Sequence, residues 1–532
     1  MAMLLPAAGF AVLTPFLLLS PIYGDELHWK LINSRLWLDG GKLIYLFPVC
    51  TRGFLLDVPI SWYPLRAFDS LLFADMTNPQ RLRYWGYGIF LATTLYASWV
   101  ARRTLKCEAP FLSIFGAVLA PLTLGALPFL VVFNRPEQPI VISLLIGCTL
   151  PFFAASSPMR SLRSWGFAGV YSLLAWTMTA AHLKGVYFLP ALLLAAFIVV
   201  RQWLPRIAML AAFGFGAAET YQLWVARTDC PESLFLTHLF HSLSLSPADL
   251  SKGLWSFLLH WWSNLQESRL YWDRVSFQLE YQSSWLPSTT TPLTEMETTI
   301  NKVMPIVIAL GVFIVVTGVI AGLRQEPKRS AWLGQGAAIA ALLLVTLIGV
   351  AGLQIFKNFY EAGLMAPILG LATLFALPSV LGITPKAKTF GLVAVAAVVV
   401  LSIVSELALA SHFSRELPAW FRNVAERESH QAALRTVLAK CGLPTGRDVS
   451  RIVMDDFAYT LLWRTREPFL LAYFSGWWGQ DLDRNKLIRD RHIAGLVGGC
   501  SAFAPEHLPA TINYPEIGFC CSRIEPRSSN ER

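Results

Sequence analysis

Eleven apolar runs, most close to twenty residues long, fill much of the first 410 residues: 2–22, 84–101, 110–132, 139–157, 165–181, 183–200, 207–225, 303–323, 331–352, 359–382 and 389–410. A hydrocarbon layer about 30 Å thick is crossed by roughly 20 residues of helix, so each run can reach from one side of a bilayer to the other. No water inside that layer satisfies backbone amides. Strands would have to alternate with period two and close into a barrel, so the runs predict helices. Composition agrees where it matters: 55% of the residues are hydrophobic and only 14% charged, against about 25% charged in a soluble domain. The first run has neither a basic leader nor a small-x-small cleavage site before Tyr23, so it is expected to stay as a permanent helix.

Lys and Arg set the orientation, because cytoplasmic connections collect them. With the N-terminus in the cytoplasm, the five cytoplasmic connections hold Arg102, Arg103 and Lys106; Arg160 and Arg163; Arg201 and Arg206; Arg324, Lys328 and Arg329; and Lys386 and Lys388. Each carries at least two positive charges. The tightest connection is Ala180 to Gly185, between the fifth and sixth runs. Basic residues facing anionic headgroups account for the net charge of +9, and nothing calls for nucleic acid. The expectation is an all-α polytopic protein of a bacterial inner membrane, residues 1–410, followed by an extracytoplasmic unit at 411–532.

The polar mass falls on the outer, periplasmic side, in residues 23–83, 226–302 and 411–532. The first piece reads as two surface helices, Asp25 to Asp39 and about Pro64 to Ala74, with Trp29, Trp37, Trp62 and Tyr63 suited to the headgroup level. The second carries Trp255, Trp261 and Trp262 and a loop, Ser284 to Thr294, that either orders over a ligand or is a plain surface loop. The third alternates strand-like stretches (Ile452 to Met454, Phe469 to Tyr473, Ile493 to Val497) with helical ones (Leu417 to Lys440, Asp483 to Arg489), which predicts a small α/β domain. Its Cys441, Cys500, Cys520 and Cys521 predict disulfides on an oxidising face, in any of three pairings.

The residues able to do chemistry stand at outer helix ends. Asp25 and Glu26 follow the first run directly. They are either N-terminal helix charges favoured by the macrodipole or a carboxylate pair held near the surface as a general base or metal ligand. Arg135 and Glu137 share a short connection, Asn134 to Gln138, and either pair with each other or serve a ligand. Lys184 stands beside His182, and Lys357 precedes Tyr360. Each lysine could simply snorkel to the interface; together with Arg135 they could clamp a lipid-linked phosphate. No motif names a cofactor, and a divalent cation held by Asp25 and Glu137 stays open.

Their order and side resemble a known family. An acidic start to the first outer loop, then Leu38-Asp39-Gly40-Gly41-Lys42-Leu43-Ile44-Tyr45, Asn134-Arg135-Pro136-Glu137-Gln138-Pro139, Leu183-Lys184-Gly185-Val186-Tyr187-Phe188-Leu189-Pro190 and the stretch from Tyr360 to Pro367 are similar to the GT-C superfamily of membrane glycosyltransferases, in the branch of protein O-mannosyltransferases and the lipid A aminoarabinose transferase. The resemblance implies transfer of a sugar from a polyprenyl-phosphate donor to a lipid, glycan or protein acceptor on the periplasmic face, with inversion at the anomeric carbon. It further implies Asp25 as base, Glu26 and Glu137 as groups that shape the site, and Arg135, His182, Lys184, Lys357 and Tyr360 as donor-binding residues. The competing readings are a flippase for lipid-linked saccharide, which would favour charges buried in mid-helix and internal repeats, and a non-catalytic subunit of surface-polysaccharide assembly.

Overall fold

The computed structural model describes residues 4–22, 24–44, 50, 55–104, 110–154, 161–228, 230–231, 233–234, 237, 245, 247–268, 293–324, 331–353, 360–381, 385–444, 452–463, 469–470, 484–499, 512–514 and 518–524. A helix lies over every apolar run. In chain order these are α1 (Leu5–Leu19), α4 (Arg81–Thr104), α5 (Phe111–Leu119) with α6 (Leu127–Val132), α7 (Glu137–Ala154), α8 (Ser161–Ala181), α9 (Gly185–Val199), α10 (Trp203–Thr228), α12 (Glu295–Arg324), α13 (Ala331–Leu353), α14 (Tyr360–Leu381) and α15 (Pro385–Phe413). Four stretches, Glu295–Gly322, Gly336–Leu353, Gly363–Leu381 and Lys388–Phe413, are long and apolar enough by themselves to cross a membrane.

The third run is not one continuous helix. After α5 the chain makes a single 3-10 turn, Ala120–Leu122, and passes through Gly125 at φ 53° before α6 begins. Pro121 has no amide hydrogen to offer, and a left-handed residue ends a helix. The Thr123 hydroxyl donates to the Leu119 and Ala120 carbonyls at 3.4 and 3.2 Å, which occupies groups that a break inside a bilayer would otherwise leave unsatisfied.

Between α1 and α4 lie the two surface helices. Residues 24–40 form one run, α2, in which Gly24–Glu26 and Asn33–Gly40 are α-helical and Leu27–Ile32 is a π-turn. Gly41 ends it at φ 66°, a conformation that favours glycine. A small hairpin pairs β1 (Lys42–Ile44) with β2 (Leu55–Asp57), and α3 (Tyr63–Phe73) follows. Glu219 of α10 accepts from the Ile60 and Ser61 amides at 3.3 and 2.9 Å, so this carboxylate caps the start of the second surface helix. Helix α11 (Leu254–Glu267) lies against α13: Trp261 Nε1, Asn264 Nδ2 and the Ser268 hydroxyl donate to the Gly349, Gly352 and Ala351 carbonyls at 3.1, 3.1 and 2.8 Å. Most of the expected Ser284 to Thr294 loop is outside the described residues.

Beyond α15, α16 (Leu417–Ala425) and α17 (Arg427–Lys440) lead to a five-stranded sheet of order β4-β3-β5-β7-β6. Its strands are β3 (Ile452–Met454), β4 (Phe469–Leu470), β5 (Gly495–Gly499), β6 (Ile512–Tyr514) and β7 (Phe519–Arg523), with α18 (Asp456–Leu462) and α19 (Arg484–Arg491) between them. β3 runs parallel to β4 and β5, and β7 closes the sheet antiparallel to β5 and β6. The apolar core of this unit is continuous with the first surface loop: Leu27, Leu31, Ile44, Phe73 and Leu82 share one cluster with Leu438, Ile452, Tyr459 and Leu496. Cys441 is bonded to Cys521, which removes the vicinal pairing, and Cys500 is outside the described residues. A second disulfide, Cys50 to Cys230, ties the first outer loop to the second.

Candidate functional site

The site forms where the connections expected on one side of the membrane meet. Glu26 is completely buried and paired with Arg83 at the start of α4. The same carboxylate oxygen accepts from the Asn134 amide at 2.8 Å. Arg83 also donates to the Ser20 and Pro21 carbonyls and lies 4.1 Å over the Phe133 ring. One carboxylate and one guanidinium therefore lock together the end of α1, the start of α2, the start of α4 and the connection from α6 to α7. Gly86 adds a close approach, because a Cβ there would run into the Val132 carbonyl.

That connection carries Arg135 and Glu137, both buried. Arg135 Nε lies 3.2 Å from Glu137 Oε2, and Lys184 Nζ lies 3.8 Å from Glu137 Oε1. The second distance is an ion pair rather than a hydrogen bond, and Oε1 accepts none among the described residues. Burial works against the charged form of Glu137, but Arg135 and Lys184 outweigh it and hold the carboxyl below its ordinary value. Among the described residues two cations surround one anion, an arrangement that suits a phosphate.

Lys184 reaches this place through the turn between α8 and α9. Gly185 permits it, since a Cβ there would run into the Met178 carbonyl. The Lys184 amide donates to His182 Nδ1 at 3.1 Å, which leaves Nε2 as the ring nitrogen able to donate to a ligand. The Trp29 ring lies 6.3 Å from His182.

Beside it sits a charged group that sequence reasoning did not single out. Lys30 Nζ donates to both Asp69 oxygens at 3.0 and 3.1 Å, and Arg66 Nη1 is 3.6 Å from Asp69. Arg66 Nη2 donates to the Ala180 carbonyl at 2.8 Å, which pins the surface helices to the turn that bears Lys184. Burial draws the Lys30 ammonium below its ordinary value, with Asp69 opposing and Arg66 adding to the shift. In sequence these three residues look like the polar faces of amphipathic helices. The usable signal was the π-turn at Leu27–Ile32, a feature common at functional sites and invisible in periodicity.

Below the cluster an apolar cavity runs between α4, the 3-10 break, α6, α7, α12, α14 and α15. Its wall includes Phe90, Leu127, Val141, Val307, Leu374 and Val398, and Arg135, Glu137 and Gln138 stand on its lining. Gln138 is held in place by donating to the Gly86 and Val131 carbonyls at 3.2 and 2.8 Å.

Of the residues expected to act, the structure brings together Glu26, Arg135, Glu137, His182 and Lys184. Asp25 lies in α2 and Tyr360 opens α14, but the side chains of both are outside what is described, as is the whole of Lys357. Among the described residues no three His, Cys, Asp or Glu side chains gather as metal ligands.

No family model matches the chain, and no curated protein does. Among solved structures it is similar to the crystal structure of ArnT from Cupriavidus metallidurans bound to undecaprenyl phosphate, with 12% identity, a TM-score of 0.44, and coverage of 98% of this chain and 97% of that one. At that score a likeness carries no argument about fold or function.

Proposed function

We propose that this chain transfers a sugar from a polyprenyl-phosphate donor to an acceptor on the outer face of the membrane. One observation carries the reading: an apolar cavity among membrane helices is headed by a buried cluster in which Arg135 and Lys184 flank Glu137. The cavity suits a prenyl chain and the cluster its phosphate. Arg135 and Lys184 would stabilise the charge that develops on the phosphate as it leaves, with Lys357 and Tyr360 adding to the same end. His182 would offer a hydrogen bond through Nε2.

Asp25 is the general base in this reading, drawing the proton from the acceptor hydroxyl and contributing roughly 10²- to 10⁴-fold. Glu26 is a positioning residue, because its carboxylate is buried and engaged by Arg83 and the Asn134 amide. A divalent cation, where one binds, would be held by Asp25 and Glu137 and would supply positive charge toward the donor phosphate. The outer assignment draws support from the Cys50–Cys230 and Cys441–Cys521 disulfides, which fall within segments that the basic-residue pattern puts outside.

The test uses purified protein, a radiolabelled polyprenyl-phosphate sugar and a membrane extract, with wild type beside Asp25→Asn. Transfer that the substitution abolishes is the expected result. Transfer that it leaves intact removes Asp25 from the mechanism, and donor crossing liposomes without transfer would make the protein a flippase.

A further inference from the structure

Far from the charged cluster, α15 carries a carboxylate that the transfer chemistry does not use. Glu406 is buried two turns before Phe413, and among the described residues the Thr123 hydroxyl is the hydrogen-bonding group beside its carboxyl, with no charged partner. Its surroundings are apolar or hydroxylic. Gly9 of α1 is pressed so closely against it that a Cβ there would run into Oε2. Ser402, one turn earlier on the same face, shares a 2.5 Å hydrogen bond with Thr123 in the broken segment between α5 and α6, and Thr123 also borders Glu406. Ser405 is buried next to it.

Among the described residues no countercharge faces this carboxyl from the elements packed on α15. α1 has no charged residue, and neither does the segment 120–126. In α14 the one charged residue is Glu361, in the first turn. In α12, Glu295, Glu297 and Lys302 are confined to the first turns and Arg324 to the last residue. On α15 itself, Lys386 and Lys388 stand at the opposite end, and His412 is paired with Glu297 at 2.9 Å.

We propose that Glu406, bordered by Thr123 and Ser402, is an intramembrane proton-binding site that is occupied at neutral pH. An ionised carboxylate at this depth with no cation costs several kcal/mol, and the group avoids that cost by keeping its proton. A hard cation is a poorer fit, because it needs a cage of six or more oxygens, and the contact with Gly9 leaves no room to gather one. The same face of α15 lines the apolar cavity through Val395, Val398 and Val399. The proton is thus held about two to three helical turns further toward the outer end than the cavity wall. This assignment is independent of the donor reading, since it uses none of the residues of the charged cluster.

Infrared difference spectra of wild type and Glu406→Gln in lipid nanodiscs test it, recorded at about pH 7 in H2O and D2O. The expected result is a protonated-carboxyl C=O band present in wild type, lost in Glu406→Gln and downshifted in D2O. Ser402→Ala and Thr123→Val should move the band without removing it, because they change only its hydrogen bonding. Wild type that shows carboxylate bands in place of the C=O band overturns the proposal. So does a C=O band that disappears when sodium replaces choline at constant ionic strength, which would make the ligand a cation. If Glu406→Gln does not fold, Glu406→Asp serves instead: a shifted band supports the site, and an unchanged spectrum refutes it.

Discussion

Removing the Glu26 carboxylate is the perturbation that most directly probes how the site is held. Glu26 and Arg83 are both fully buried. Glu26→Ala leaves the guanidinium with carbonyl acceptors and the Phe133 face but no countercharge. It also strips the Asn134 amide of its acceptor. Breaking a buried pair by removing one partner costs about 3 to 5 kcal/mol, and an orphaned buried amide alone accounts for about 1 to 3 kcal/mol of such a loss. The expected total is therefore near 4 kcal/mol, not the sum of the two ranges, because the same oxygen serves both groups. Unfolding by graded SDS in mixed micelles, followed by tryptophan fluorescence, reads this for Glu26→Ala, Arg83→Ala and the double variant. The double variant should recover part of the loss, with an interaction energy of about 2 kcal/mol or more. Because Asn134 leads directly into Arg135 and Glu137, a shift of about 1 Å there should also lower the transfer rate about 10²-fold. Additive single losses, or a Glu26→Ala protein within about 1 kcal/mol of wild type, would refute the idea that this pair anchors the site.

Three further outcomes follow from the same geometry. The Glu137 carboxyl is held below its ordinary value, so its stabilisation is complete above the unfolded carboxylate value, near 4.5, and is lost as pH falls through the folded one. The stability gap between wild type and Glu137→Gln should stay flat from about pH 8 to pH 5 and close only in stronger acid, measured by thermal unfolding across that range. Gly185→Ala should lower transfer at least about tenfold with the protein still folded, because the added methyl displaces the turn that presents Lys184; unchanged activity would show that the turn can relax. Cys50 and Cys230 are 180 residues apart in sequence, for which chain entropy sets a ceiling of about 5 kcal/mol. Reduction should lower the unfolding temperature, and a membrane-impermeant maleimide added to spheroplasts after reduction should label both cysteines. Labelling only after lysis would reverse the assigned side.

Much of the frame is written in local composition. A run of apolar residues must be helical in a bilayer whatever its neighbours, and the surface helices and the strand at Ile452–Met454 likewise follow from short-range pattern. The break at Ala120–Leu122 was missed because Pro121 and Gly125 are each tolerated in membrane helices, and only packing decides whether they interrupt one. The candidate site was legible in part. Arg135, Glu137, His182 and Lys184 stand out as polar residues at the ends of apolar runs. Lys30, Arg66 and Asp69 do not, because a charge on an amphipathic helix reads as solvated until the element that buries it is known.

The eleven runs thus determined by themselves that the chain is a helical membrane protein, since that follows from the cost of exposing each residue to lipid or water, and the basic connections set the expectation of which helix ends share a face. Tertiary structure alone decided what those ends do to one another. Glu26 with Arg83, Lys184 with Glu137 and Cys50 with Cys230 are pairings across 47 to 180 residues. No local propensity encodes such a pairing, because its energy exists only once the helices have packed.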